Sequence, residues 1–203
     1  MDTTKRQEVL NQYVNQYQPT IISTVEALNE KKDLLRIPYA QFLFSVIEYY
    51  GLLFTVADGG HYNKKNPSNF KNMIASQYFP RADRCKGSFL WFIRSGLVHQ
   101  IFAKGSGLGR SDENKLFYKD TFNGNNPALN LDYLHRVTMR AIESFISDLD
   151  TNTEYIENLH DKLIKTNYGF NDHKELEDEI TKSFGGDSNK IFEDCVETHI
   201  SVK

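Results

Sequence analysis

The stretch from Ser88 to Gln100 constrains the fold of this chain more than any other. It carries Phe89, Leu90, Trp91, Phe92, Ile93, Leu97 and Val98 within thirteen residues. A segment so rich in large apolar side chains is expected to be a helix central to a core. Arg94 and His99 sit inside the same run. A guanidinium and an imidazole on such a helix need hydrogen-bond partners, or they serve a site.

Length allows one large domain, or one domain and an appendage, in 203 residues. Hydrophobic residues at 39% and aromatics at 13% can fill a core, which excludes global disorder. The net charge of −3 hides an asymmetry. Residues 64–140 hold 13 basic and 5 acidic side chains, net +8, whereas residues 141–203 hold 6 and 15, net −9. The middle third is therefore the part suited to face a polyanion, unless the acidic last third folds over it. Cys85 and Cys195 lack metal-like spacing. The opening Met-Asp-Thr-Thr-Lys-Arg lacks a signal peptide's apolar core, and no later run approaches about 18 apolar residues. The expectation is a cytoplasmic protein off the membrane with free thiols, a Cys85–Cys195 disulfide remaining open.

Apolar residues recur at helical spacing over 4–33, where Pro19 should kink or split the helix. Pro38 suits the first turn of a helix reaching about Ala57. Glu48 is the only charged residue between them. It is a candidate partner for a distant cation; the plainer expectation is a carboxylate reaching solvent from a polar edge. Asp58 and His61 in a Gly-containing loop give two weak metal-ligand candidates. A third helix should run from Phe70 to about Phe79, and Asp83 can cap the helix that contains Arg94. The runs 101–104 and 115–119 flank Gly105-Ser106-Gly107-Leu108-Gly109-Arg110 and read as a β-hairpin with a long loop. No apolar helix follows those glycines, so a phosphate cradle lacks its helix N-terminus. Asn130 or Asp132 opens an amphipathic helix with His135, Arg136 and Arg140 on its polar side. Another helix runs over about 154–166, and two weaker, acidic helical pieces occupy about 172–184 and 188–199. The fold class expected is all-α: a helical bundle over 1–166 with a short β-hairpin insertion near 101–119, and an acidic C-terminal helical arm over 167–203.

Arg94, a polar Ser95 directly after it, and His99 on one helix of a helical frame resemble the motif of the HEPN family. That motif is an Arg followed four to six residues later by His. The resemblance covers about 35–150. It departs from the family at Ser95, which is not the commonest residue in its place, at Gly96 within the helix, and at the insertion after His99. The family typically forms bundles of four or five helices and pairs into dimers. It includes metal-independent RNA-cutting enzymes of toxin and defence systems, and also members without catalysis. For this chain the resemblance implies a homodimer, RNA as substrate or ligand, an antitoxin or regulatory protein as a further partner, and no cofactor or metal. Its candidate catalytic residues are Arg94, His99 and Ser95.

At about 100° per residue Ser95 and His99 share a helix face, while Arg94 and His99 stand about 140° apart. One helix does not aim both at one atom; two copies across a two-fold axis would surround one cleft with both pairs. His titrates near neutrality and can take a proton from a ribose 2′-hydroxyl or give one to the leaving 5′-oxygen. Arg suits the growing charge of the phosphate. Attack by the RNA's own 2′-hydroxyl would spare DNA. The competing expectation is structural: Arg94 pairs with a carboxylate such as Glu48, and His99 favours the helix C-terminus as a cation.

Overall fold

The computed structural model describes residues 3–31, 33–61, 67–100, 107–120 and 126–164, with positions 178 and 181; at 98–100, 120 and 126 it describes the backbone alone. Within these limits the chain is mostly helical, with one small sheet. By its contacts it divides into two units, Met1–Lys162 and Leu163–Lys203. Of the second, Leu163 and Ile164 end a π-helical turn, and Asp178 and Thr181 are helical. The rest of the expected C-terminal arm, with Cys195, lies outside the described residues.

The first unit opens with α1 (Thr3–Val9), which widens into a π-helical segment, Leu10–Asn15, burying Val9, Leu10, Tyr13 and Val14. α2 (Gln18–Glu30) starts afresh, with Pro19 in its first turn, where the missing N–H costs no helical bond. The expected split thus falls just before the proline, at Gln16 and Tyr17.

α3 (Arg36–Ala57) is the axis of the unit. Tyr39, Leu43, Phe44, Ile47, Tyr50 and Val56 are wholly buried. This helix has enough length and apolar content to cross a bilayer, but 61% of its most apolar window is buried inside the protein. The apolar character serves a core helix packed against several neighbours. It stops where Gly59 turns to φ +86° and the Gly60 N–H returns to the Thr55 carbonyl at 2.8 Å.

α4 (Ser68–Ala75) lies along α3 and ends four residues earlier than the apolar pattern predicts. Ser76 swings into an extended conformation, and its hydroxyl donates to the Met73 carbonyl at 2.7 Å, closing the helix from its side chain. A 3₁₀ turn, Arg84–Lys86, then leads directly into α5 (Gly87–Gln100). Asp83 does not cap this helix. Its buried carboxylate instead accepts from the Tyr133 hydroxyl at 2.8 Å and the Lys86 ammonium at 2.6 Å. Rings join the layers: Phe70 of α4 lies 5.8 Å from Phe44 and 5.6 Å from Trp91 of α5, centroid to centroid. Each such pair contributes roughly 0.5–1.5 kcal/mol beyond its buried area.

The β region differs from the expected hairpin. β1 (Gly107–Gly109), β2 (Phe117–Asp120) and β3 (Asn126–Asn130) form a sheet in the order β1-β3-β2. Within the glycine stretch expected as a loop, Gly107–Gly109 is a strand, parallel to β3 with Leu108 opposite Leu129. Of the run 115–119, residues 117–119 pair antiparallel with β3, with Phe117 opposite Leu129; the expected partner, 101–104, lies outside the described residues. The glycine spacing has a packing cause. Tyr118 crosses the small Ala128 of β3, and its hydroxyl occupies the space a Cβ at Gly109 would need.

Asn130 ends β3 and starts α6 (Leu131–Thr151), followed after Asn152 by α7 (Thr153–Leu159) and the π-helical turn His160–Ile164. Asn130 is wholly buried and its side chain is saturated. Its Oδ1 accepts from Tyr133 N and Ser111 N, both at 3.3 Å. Its Nδ2 donates to the carbonyls of Ser111, Glu113 and Lys115 at 2.9, 3.0 and 3.2 Å. One side chain thus caps α6 and pins the loop before β2.

Candidate functional site

α5 buries one face and shows the other. Leu90, Ile93 and Leu97 are wholly buried. Ser88, Phe89 and Phe92 are exposed, the two rings at 39% and 48%, and Ser95 is half-buried. The apolar stretch that singles out this helix is therefore core on one side only. At about 100° per residue, positions 88, 92, 95 and 99 fall within about 60° of one another. The outward stripe runs through the motif. Position 99 belongs to it by backbone geometry; the His99 side chain lies outside the described residues.

Arg94 faces the other way. Its guanidinium donates to Glu48 Oε2 of α3 at 2.5 Å and lies 4.6 Å from the centre of the Trp91 ring. The side chains of Arg94 and Glu48 are 17% and 32% exposed, so the pair is partly shielded and worth more than an open surface bridge. Glu48, the lone carboxylate of its helix, does not simply reach for solvent. Arg94 Nε, also buried, has no hydrogen-bond partner among the described residues.

A second contact fixes the same seam. Gln41 Nε2 donates to the Leu97 carbonyl at 2.6 Å. Gln41 and Glu48 lie seven residues apart and so share a face of α3, meeting α5 at Leu97 and Arg94 respectively. Leu97 carries one of the last carbonyls of α5, which lack a partner within the helix, and the glutamine supplies one. Sequence reasoning did not single out Gln41, though its seven-residue spacing from Glu48 is the signal that could have found it.

The motif is thus divided. Ser95 and position 99 are on the outward stripe, and Arg94 is turned to the α3 seam. Arg94 and Ser95 are turned to different sides of α5. Among the described residues no group of three or more His, Cys, Asp or Glu is placed to hold a metal ion. The weak pair Asp58 and His61 gains no third ligand there. Of the polar side of α6, His135 turns inward, its Nδ1 2.6 Å from the Tyr39 hydroxyl, while Arg136 and Arg140 are exposed. Burial, with the nearby Asp132 charge adding to it, pushes the Tyr39 phenol well above its ordinary value, so it remains a neutral hydrogen-bonding group.

Comparison of the chain with family models, with curated proteins and with solved structures gives no match in any of the three.

Proposed function

We propose that this chain is a HEPN-like helical module that binds RNA as a homodimer in the cytoplasm, with Arg94 as a positioning residue holding α5 onto α3. The Arg94–Glu48 pair carries this reading. A guanidinium engaged at 2.5 Å by a carboxylate and stacked on Trp91 is committed to the fold, not offered to a phosphate. Pairing through the outward stripe of α5 would cover Phe92, an exposed ring that a two-fold contact can bury against its own copy. An antitoxin or regulatory protein is the further partner in keeping with this reading.

Metal-independent RNA cleavage is the second reading, favoured by the placement of Ser95 and position 99 on one stripe. There the ribose 2′-hydroxyl attacks the adjacent phosphorus and the bond to the 5′-oxygen breaks. His99 moves the proton, Ser95 orients the imidazole or binds phosphate, and Arg94 of either copy must leave Glu48 to meet the phosphate. One experiment separates the two: wild type, Arg94→Ala and His99→Ala incubated with a broad RNA panel in EDTA, with mass measured by light scattering. The first reading expects a dimer that retains RNA without cutting it. Cleavage by wild type that His99→Ala abolishes would replace it with the second. A monomer that neither binds nor cuts RNA would sink both.

A further inference from the structure

Three arginines of the basic middle of the chain are spent on structure. Arg84 donates to the carbonyls of Phe79 and Gln77, both at 3.0 Å. Arg94 is held by Glu48, and Arg110 bridges Asp33 at 3.1 Å and Asp132 at 2.9 Å. Others are left exposed, Arg81 among them. Arg136 and Arg140 are exposed on α6, and neither has an ion pair among the described residues. They stand one turn apart, a rise of about 6 Å, so their forks point along one line. Asp132, one turn before Arg136, is already taken by Arg110.

The Tyr133 ring and the Asp83–Lys86 pair lie on the Arg136 side of this stripe. Arg136 lies 5.8 Å from the Tyr133 ring, whose hydroxyl is bound to Asp83 with the Lys86 ammonium on the same carboxylate. Burial and the Asp83 hydrogen bond push the Tyr133 phenol up to about 12, while the charges of Arg136 and Arg140 pull it back. Three residues after Lys86 comes Phe89, 39% exposed, its ring 5.2 Å from Phe117.

We propose that Arg136 and Arg140 form a phosphate-binding stripe for single-stranded RNA, with Phe89 offering a ring for an unpaired base. The proposal rests on the RNA reading above and names the surface that would hold the strand. Guanidinium forks match phosphate oxygens in two-point contacts, and two of them at one-turn spacing can take neighbouring phosphates. Exposed rings beside a basic strip are what sequence-tolerant single-strand binding uses. An acidic polypeptide would use the charge but leave the ring idle.

The test is fluorescence anisotropy with a labelled, uncleavable 2′-O-methyl oligouridine and, separately, polyglutamate, across a salt series. Wild type should bind the oligonucleotide, and Arg136→Ala/Arg140→Ala should weaken it by about 10-fold or more at 0.1 M salt. The slope of log affinity against log salt should fall by about 1.4, two single-strand phosphate contacts. Phe89→Ala should weaken binding with the slope unchanged. Arg6→Ala, which removes a cation already paired with Asp150, should change nothing. Wild-type binding that the double variant leaves intact would overturn the stripe while sparing the RNA reading. Failure of wild type to bind RNA would overturn the RNA reading itself. Binding of polyglutamate alone would assign the stripe to an acidic protein partner and overturn the proposal.

Discussion

Asn130 and Arg94 are both polar side chains set into the packed part of the first unit, and they are treated in opposite ways. Asn130 makes five hydrogen bonds and leaves no donor or acceptor idle. Among the described residues Arg94 makes one hydrogen bond, rests on an indole, and has no partner for its Nε. A saturated buried group has a structural role and nothing left to give. A half-saturated one depends on a single partner, and its role changes if that partner is taken away.

The contrast predicts unequal costs. Asn130→Ala should be the more damaging change, because it removes the α6 cap and leaves three loop carbonyls without the amide. A loss of about 3 kcal/mol is expected. For a chain of this size that is a fall of about 6–12 °C in melting temperature. A fall under about 2 °C in a thermal melt would mean that the loop finds other partners, and the contrast would collapse.

Glu48→Ala should cost less, about 1–2 kcal/mol, because both members of the ion pair retain some contact with water. It also sharpens the functional question. If Arg94 is only a positioning residue, Glu48→Ala lowers stability and leaves RNA binding at a permissive temperature unchanged. Gain of RNA cleavage, or a clear rise in affinity, would show that the carboxylate restrains a phosphate ligand.

The smallest effect is expected at Tyr50, whose buried hydroxyl is without a partner among the described residues. Tyr50→Phe should be neutral or stabilising by up to about 1 kcal/mol in urea denaturation. It should also flatten the alkaline limb. Burial raises the Tyr50 phenol from 10.0 to about 12, so the fold favours the protonated form. Its stabilisation is whole below pH 10 and is lost as the pH rises through 12. Wild type should therefore lose stability between these values, and Tyr50→Phe should lose less. An identical alkaline profile in both proteins would mean that water reaches the phenol and burial does not penalise its ionisation.

What could be read in the sequence was what neighbouring residues decide. The helical frame, α5 as a core element, Asn130 as one of two possible starts of α6 and the break near Pro19 all follow from periodicity, caps and proline sterics. What could not be read depended on pairing across the chain. The glycines of β1 look like a loop until Tyr118 and Ala128 are brought beside them. Asp83 has the right residue type for a cap, but a tyrosine fifty positions away claims its carboxylate. The candidate site was legible in residue type and helix angle, including Glu48 as a partner for Arg94. Which of its groups would face inward was not, because periodicity fixes the angle between Arg94 and position 99 without fixing which side meets α3.

The two contacts of the α3–α5 seam have a mechanical consequence. Gln41 to Leu97 and Glu48 to Arg94 act like two pegs set two turns apart along one rod. Moving α5 along its length by a single turn would unseat both together, so sliding is the costly motion. Swinging the Arg94 side chain off its indole disturbs one peg and leaves the other in place. The seam therefore resists translation and yields to a local swing at its Glu48 end.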